Sequence, residues 1–155
     1  MEVIAFKNMI WELTRQISDG MDELFRPLTI QYGLTQMQMR ILLQLWAAPE
    51  PQTVGCLGRT LGVTGGNISS MCKRLEQEGF LKRFRDTRDE RVVKVSLSEK
   101  GRETAREIDR ITEEEYASWL QRLGPERIQV IAADLREISA LLRGMLDEHK
   151  KGITQ

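Results

Sequence analysis

The stretch that most constrains the fold is residues 53–101, where two short helices and a charged hairpin are predicted to follow one another closely. Thr64 is a good N-cap for the second helix, because its hydroxyl can accept a hydrogen bond from a first-turn N–H. Four apolar residues at helical spacing predict its buried face: Ile68, Met71, Cys72 and Leu75. The opposite face is polar, with short side chains at the helix start and basic ones further along. Its residues are Gly66, Asn67, Ser69, Ser70, Lys73, Arg74 and Gln77. Such a face suits entry into a DNA major groove.

The hairpin follows Gly79, which is expected to end the helix. Residues 81–85 and 92–97 alternate roughly with period two, which predicts two strands. The turn between them holds two carboxylates and two arginines: Asp86, Asp89, Arg88 and Arg91. The carboxylates can bond nearby backbone N–H groups and can also brace the arginines. Two braced arginines at a hairpin tip suit a phosphate backbone or a minor groove.

Three phrases stand in order within residues 33–101. They are Gly33-Leu34-Thr35-x-x-Gln38, then Leu75-Glu76-x-Glu78-Gly79-Phe80-Leu81-x-Arg83, then Asp86-x-Arg88-Asp89-x-Arg91 with Val95-x-Leu97-Ser98-x-x-Gly101. Together they resemble the second-helix entry, the recognition-helix exit and the wing of the MarR family of bacterial transcriptional regulators. The resemblance implies a mainly α fold with a small β-hairpin wing. This fold is a winged helix-turn-helix with N- and C-terminal dimerisation helices.

The distribution of charge agrees with this reading. The formal net charge of the chain is zero. Residues 53–100 hold ten Lys/Arg and six Asp/Glu, whereas the remainder holds thirteen and seventeen. A net charge of +4 concentrated on the helix–hairpin unit is the footprint of a nucleic-acid binder, although random clustering on a solvated face is an equal alternative.

Several function classes are disfavoured. No apolar run approaches the ~18 residues of a membrane span, and Glu2, Lys7 and Glu12 argue against a signal peptide, so a cytoplasmic protein is expected. Phosphate loops, nucleophile elbows and zinc-protease motifs are absent from the sequence, and a single histidine, His149, leaves little for acid–base chemistry. The prediction is therefore no enzyme, no metal and no cofactor.

The two cysteines, Cys56 and Cys72, have neither C-x-x-C nor metal-ligand spacing. Small buried hydrophobes are the favoured interpretation, and an approach across the two short helices leaves a redox role open. Some relatives sense oxidants through a cysteine in the first helix. This chain has none there, so that route is disfavoured.

The helices outside the central stretch follow from apolar periodicity and caps. A long helix is predicted over residues 3–31, with a kink or break at Pro27. A capping box at Thr35 opens a second helix to about Ala47, and Thr53 caps a third to about Leu61. Ser98 is expected to cap a helix to Leu123. Pro125 is expected to begin the last, to about Glu148.

Three glycines surround the helix-turn-helix. Gly58 is expected where the second helix crosses the first, a position that requires a small residue. Gly62 allows the sharp turn before the Thr64 cap. Gly55 has no physical explanation in the sequence.

The domain prediction is a single MarR-type domain, residues 1–155. Residues 35–100 form the DNA-binding lobe, with the helix-turn-helix at about 53–78 and the wing at about 80–97. Residues 1–34 and 101–149 form the helical dimerisation region, because their apolar stripes exceed what a small domain buries.

The resemblance implies a homodimer on double-stranded DNA, with the helix 64–78 in the major groove and the wing at the minor groove. Surplus apolar surface independently favours a two-fold dimer, and two-fold symmetry predicts a palindromic operator with major grooves ~34–36 Å apart. The family's members are most often repressors relieved by a small-molecule effector; repression and activation stay open. The alternative is a winged-helix protein-interaction module without specific DNA binding.

The residues expected at DNA lie on the second helix and the wing: Thr64, Gly65, Gly66, Asn67, Ser69, Ser70, Lys73, Arg74, Arg88, Asp89 and Arg91. By its match to the family motif, Arg91 is the expected minor-groove residue, with Asp89 as its brace; a purely structural Arg91–Asp89 salt bridge is the alternative. Lys73 and Arg74 are expected on phosphates, or on bases if the helix sits deep.

The family resemblance also implies a phenolic or lipophilic ligand between the dimer helices and the DNA-binding lobe. Four residues are candidates for lining such a cleft: Trp11, Met39, Trp46 and Met71. Ordinary core packing is the alternative for all four.

Overall fold

The computed structural model describes the backbone of residues 2–153 and the side chains of residues 2–145 and 147. Two compact units are distinguished, Met1–Asp109 and Arg110–Gln155. The helices are α1 Val3–Tyr32, α2 Gln36–Ala47, α3 Val54–Leu61, α4 Gly65–Gln77, α5 Glu99–Leu123 and α6 Pro125–Ile153. The strands are β1 Gln52–Thr53, β2 Leu81–Arg85 and β3 Val93–Leu97. The mainly helical fold with a hairpin wing is confirmed.

The sheet is antiparallel with strand order β1-β3-β2. Leu81 pairs with Leu97 across the hairpin, and Thr53 pairs with Lys94 on the other side of β3. The predicted hairpin is confirmed to within one residue. The sequence did not predict β1, because two residues after a proline are too few to show a period.

Three of the four predicted N-caps are complete. Ser98 Oγ accepts from the Gly101 N–H at 3.0 Å at the start of α5. Thr35 Oγ1 accepts from the Gln38 N–H at 3.2 Å while the Gln38 side chain accepts from the Thr35 N–H at 2.8 Å. Thr53 Oγ1 accepts from the Cys56 N–H at 3.1 Å. Thr64 takes the N-cap position of α4, but its hydroxyl makes no capping hydrogen bond. That part of the prediction is wrong. Because the first turn of α4 is exposed, water can satisfy its N–H groups.

Pro27 does not end α1, which is helical through it to Tyr32. The predicted break is therefore wrong. Proline removes one hydrogen bond, to the carbonyl four residues earlier, and this carbonyl belongs to Glu23 on an exposed part of the helix. Water can replace the missing donor there.

The buried core of the first unit collects apolar side chains from α1 to α5 and from both hairpin strands. On α4, Ile68, Cys72 and Leu75 are fully buried and Met71 is half-buried, which confirms the predicted core face. The rest of this core is Leu28, Leu34, Met39, Ile41, Leu42, Leu45, Leu57, Phe80, Leu81, Val95, Leu97, Ala105 and Ile108.

Large apolar side chains remain exposed on the terminal helices. In the first unit, α1 exposes Val3, Ile4, Met9, Trp11, Leu13, Ile17, Met21, Leu24 and Ile30. In the second unit, α5 and α6 expose Trp119, Leu120, Leu123, Val130, Ile131, Leu135, Leu141, Leu142 and Met145. Each unit therefore carries a wide apolar surface, as the stripes in the sequence predict. Across residues 2–153, the chain contains no helix apolar and long enough for a membrane span.

Candidate nucleic-acid interface

The crossing of α3 and α4 sets the position of α4. A Cβ atom on Gly58 would lie 3.0 Å from Ile68 Cγ2 and 3.0 Å from the Val63 carbonyl oxygen. Both distances are shorter than an ordinary van der Waals contact, so a neighbour would have to shift even for the methyl group of an alanine. Gly62 makes the turn between them with a φ of 69°. The predicted roles of both glycines are confirmed.

The outward face of α4 is exposed along nearly its whole length. Thr64, Gly65, Gly66, Asn67, Ser70, Lys73, Arg74 and Gln77 are exposed, and Ser69 is half-buried. Arg74 Nε donates to Glu78 Oε1 at 2.8 Å, one helical turn later. Small polar side chains therefore occupy the first turns, with two exposed cations beyond them.

Gly79 ends α4 in the left-handed conformation, with a φ of 82°. The Phe80 N–H then donates to the Leu75 carbonyl at 2.8 Å, and the Gly79 N–H donates to the Glu76 carbonyl at 3.0 Å. These bonds satisfy helix-end carbonyls. They carry the chain directly from the polar helix into β2.

The wing turn is built on two carboxylates. Asp86 Oδ1 accepts from the backbone N–H groups of Arg88 at 2.7 Å and Asp89 at 3.3 Å. Asp89 Oδ1 accepts from the Arg91 N–H at 3.0 Å. The Asp86 carboxylate also pairs with Lys94 on β3. Lys94, followed by the Arg88 N–H, lowers the pKa of Asp86 below its usual 3.8.

The predicted bracing of the arginine side chains is wrong in detail. Asp86 and Asp89 hold the backbone of Arg88 and Arg91, not their guanidinium groups. Within the described part of the chain, neither guanidinium forms an ion pair, and both residues are exposed. The carboxylates shape the turn, and both arginine side chains are left available to an outside partner.

A cavity of about 340 Å³ lies between the start of α3, α4 and the wing. It brings together two of the predicted site residues, Ser69 and Arg91. The other lining residues are Thr53, Val54, Gly55, Arg83, Val92 and Val93. A Cβ on Gly55 would meet only Arg59 Nη1, at 3.8 Å, so no close contact requires a glycine there.

Arg83 is a site neighbour that the sequence reasoning did not single out. Its side chain is only 17% exposed, and its Nη1 atom lies 3.4 Å from Glu76 Oε2. Its Nε atom is buried and has no hydrogen-bond partner among the residues that the structure describes. The available signal was the period of β2, which places Arg83 on the same side as the buried Leu81.

The four candidate effector residues all lie in the first unit but in different environments. Trp11 is exposed, Met39 is fully buried and Met71 is half-buried. Trp46 is half-buried, and its Nε1 donates to Asp109 Oδ2 at 3.1 Å. Three cavities of this unit, the largest about 470 Å³, are lined by other residues.

Both cysteines are free thiols, Cys72 buried and Cys56 half-buried. Burial raises the pKa of Cys72 to about 11, against a smaller opposing effect of Arg83. Such a thiol is protonated near neutral pH and is a weak nucleophile. His149 lies outside the described side chains. Among those described, no cluster of three or more His, Cys, Asp or Glu has the geometry to hold a metal ion.

A family model described as "Transcriptional regulator SarA/Rot" matches residues 23–108, which is more than half of the chain. The "Organic hydroperoxide resistance transcriptional regulator" of Bacillus subtilis (strain 168) is 36% identical over 98 residues, covering 63% of this chain and 66% of that relative. A second curated relative is matched over 40% of its length, so the chain spans less than two thirds of either.

Solved structures show the same fold. S. aureus MepR in its DNA-binding conformation superimposes with a TM-score of 0.78 and 23% sequence identity, covering 86% of this chain and 98% of MepR. NadR in complex with 4-hydroxyphenylacetate superimposes with a TM-score of 0.71 and 24% identity, covering 81% of this chain and 88% of NadR.

Proposed function

Because the chain belongs to the SarA/Rot family of transcriptional regulators, with a MarR-type winged helix, we propose that it is a homodimeric, sequence-specific DNA-binding regulator. In this proposal α4 enters the major groove of a palindromic operator, and the wing tip reaches the adjacent minor groove. In this proposal the protein represses transcription, and a small-molecule effector relieves the repression. The proposal assigns the protein no enzymatic activity and places it in the cytoplasm.

The observation that carries the proposal is the two-sided character of α4. One side is fully buried through Ile68, Cys72 and Leu75, so the helix is fixed in the lobe. The other side is exposed, with small polar residues first and Lys73 and Arg74 behind them. A helix held from behind, with short side chains in front, can approach base edges closely.

The wing supports the same function. Its turn is fixed by carboxylate-to-backbone bonds, and the guanidinium groups of Arg88 and Arg91 remain exposed. Unpaired arginines are suited to the negative potential of a narrow minor groove. We assign Arg91 to the minor groove by its place in the wing motif.

The proposed division of the chain follows from these surfaces. Residues 35–100 form the DNA-binding lobe, and residues 1–34 and 101–149 form the dimerisation region of one MarR-type domain. The exposed apolar side chains of α1 and of α6, such as Ile17 and Leu135, need a partner. A two-fold dimer buries them and presents two copies of α4 to successive major grooves.

The test is direct binding of the purified full chain to DNA upstream of its own gene, measured by fluorescence anisotropy over a salt series. Specific binding should appear at low salt, and log Kd should depend linearly on log salt. Lys73→Ala should weaken binding to all duplexes and reduce the salt slope by about one.

The matched control is Lys7→Ala, since Lys7 is an exposed lysine on α1, outside the proposed lobe. It should leave the slope unchanged. Absence of any specific binding at low salt, from a protein that is folded and dimeric, would favour the alternative of a protein-interaction module.

The effector part of the proposal concerns a phenolic or lipophilic ligand. Its support is that NadR, which shares the fold, has been solved with 4-hydroxyphenylacetate. Trp11, Met39, Trp46 and Met71 are the proposed contacts. Titration with 4-hydroxyphenylacetate should quench tryptophan fluorescence and weaken DNA binding; quenching that Trp11→Phe and Trp46→Phe together leave unchanged would remove these residues from the site.

A further inference from the structure

The end of α4 is held by the start of α5, although the whole wing lies between them in the sequence. Three consecutive carbonyls at the end of α4 accept hydrogen bonds from residues 98–100. Lys100 Nζ donates to the Glu78 carbonyl at 2.8 Å, and Ser98 Oγ donates to the Gly79 carbonyl at 2.6 Å. The Ser98 N–H donates to the Phe80 carbonyl at 2.9 Å. We call this set of contacts the α4–α5 clamp.

The packing at the clamp leaves little freedom. A Cβ on Gly101 would lie 2.0 Å from the Phe80 carbonyl oxygen, so the backbones of α5 and of residue 80 approach as closely as they can. Ser98 Oγ also accepts from the Gly101 N–H at 3.0 Å, which joins the cap of α5 to the clamp. Ser98 therefore serves the end of one helix and the beginning of the next.

Lys100 makes two contacts in the clamp. Its ammonium group lies 4.0 Å from the centre of the Phe80 ring while it donates to the Glu78 carbonyl. A cation at a helix C-terminus is favourable, because the last carbonyls carry partial negative charge. A cation over an aromatic face adds a second attraction. Both attractions act on the exit of α4.

Dimerisation alone does not determine the orientation of α4. The angle at which α4 enters a groove depends on how firmly the lobe is attached to the helices that fix the two-fold axis. Across the clamp, the end of α4 is attached to the first turn of α5, a helix of 25 residues. The two copies of α4 in a dimer must match one turn of DNA, so a contact that restrains the end of α4 bears on the spacing they accept.

From this geometry we infer that Lys100, together with Ser98 and Gly101, is a positioning residue that sets the orientation of the recognition helix and hence the half-site spacing that the dimer accepts. The inference rests on the proposed DNA binding. Lys100 contributes through the backbone of Glu78 and the ring of Phe80 and needs no contact with DNA.

The test uses a palindromic duplex selected by the wild-type full chain from a random-sequence library, and the same duplex with one base pair inserted at its centre. Lys100→Met keeps the length of the side chain and removes the charge. Arg106→Met is the matched control, because it removes one positive charge from an exposed residue of α5. Lys100→Arg restores the charge.

Lys100→Met should stay dimeric by sedimentation and bind the selected duplex up to about tenfold more weakly. Losing one hydrogen bond from a charged donor lowers the population of the binding-competent orientation of α4 by up to that factor. Its discrimination against the inserted base pair should fall by a similar factor, while its salt slope stays equal to that of Arg106→Met. Lys100→Arg should recover most of the discrimination.

Equal spacing discrimination in Lys100→Met and the wild type would overturn the inference. So would a uniform loss of affinity on all duplexes with a salt slope reduced by one, because that result makes Lys100 a phosphate contact. A library that yields no selected sequence with the wild type counts instead against the proposed function. Gly101→Ala is not the primary test, since its clash can prevent folding.

Discussion

In the wing turn, the aspartate side chains shape the backbone and the side chains of Arg88 and Arg91 remain exposed. Asp86 Oδ1 and Asp89 Oδ1 accept from backbone N–H groups, so these bonds shape the turn without using the guanidinium groups of Arg88 and Arg91. The guanidinium of Arg91 can therefore be removed by mutation without loss of a contact that holds the turn. The Asp86 side chain cannot be removed in this way, since it also pairs with Lys94 across the hairpin.

Arg91→Ala should weaken binding to the operator by about 1–3 kcal/mol, the usual effect of losing an arginine contact in a groove. The melting temperature should change little, because the side chain is exposed and the Asp89 bond uses the backbone of residue 91. Anisotropy and circular dichroism on the same preparation measure both. A large fall in melting temperature with unchanged affinity per folded dimer would make Arg91 a structural residue.

Asp86 predicts a pH dependence of stability. Folding lowers the pKa of this carboxyl, chiefly through the bond from Lys94. Its contribution to stability is therefore complete above the unfolded pKa and is lost as the pH falls through the lower folded value. Asp86→Asn should lower the melting temperature at neutral pH, and the difference from wild type should shrink below about pH 4.

Thermal melts of both proteins at a series of pH values measure this difference. Asp22→Asn is the control, because Asp22 is an exposed carboxylate on α1, away from the wing. A difference between Asp86→Asn and wild type that stays constant from neutral to strongly acidic pH would show that the Lys94 pair does not stabilise the fold.

At the scale of elements, two glycines mark the places where helices meet other backbones. Gly58 admits α4 across α3, and Gly101 admits the Phe80 carbonyl against α5. Both glycines lie inside helices, where glycine is intrinsically unfavourable relative to alanine. Their value is therefore in packing between elements that are distant in sequence.

Gly101→Ala should destabilise the protein by at least about 1–3 kcal/mol, because the new methyl group would overlap the Phe80 carbonyl. Gly20→Ala is the matched control in α1, where nothing lies within 4 Å of the added carbon. It should stabilise the protein by about 0.5–1 kcal/mol through helix propensity. Urea denaturation measures both, and equal effects of the two substitutions would contradict the close approach at residue 101.

At the scale of the whole molecule, the exposed apolar surfaces of the terminal helices are the strongest demand for a partner. Each of the two units has one, on α1 in the first and on α5 and α6 in the second. Surfaces of this kind in an unassembled chain favour association. The stability of such a protein depends on its concentration, since assembly stabilises the folded state.

Leu135→Glu should weaken dimerisation at least about tenfold, because it would bury a charge in an apolar interface. Leu135 is 51% exposed in the single chain, so the substitution should not disturb the fold of the monomer. Ala133→Glu, on a different side of α6, is the control. Sedimentation equilibrium measures the dimer constant. A Leu135→Glu dimer as tight as wild type would exclude this face of α6 from the interface.

Local chemistry was readable from the sequence alone. The capping box at Thr35, the cap at Thr53, the left-handed glycines at 62 and 79 and the two hairpin strands depend on residues within a few positions of one another. The polar and apolar sides of α4 follow from helical periodicity in the same way. These features were predicted nearly to the residue, and they also carry the family resemblance.

Other features depended on segments that meet only in the folded chain. The strand β1 exists because Gln52 and Thr53 reach the free edge of β3. Asp86 forms its ion pair with Lys94 and not with an arginine of the turn. Lys94 comes from β3, where the hairpin register places it opposite Phe84. The clamp from Lys100 to the end of α4 crosses the whole wing. The sequence determines the elements and their exposed chemistry, whereas only tertiary structure decides the partners of long side chains, because it alone sets distances between remote residues.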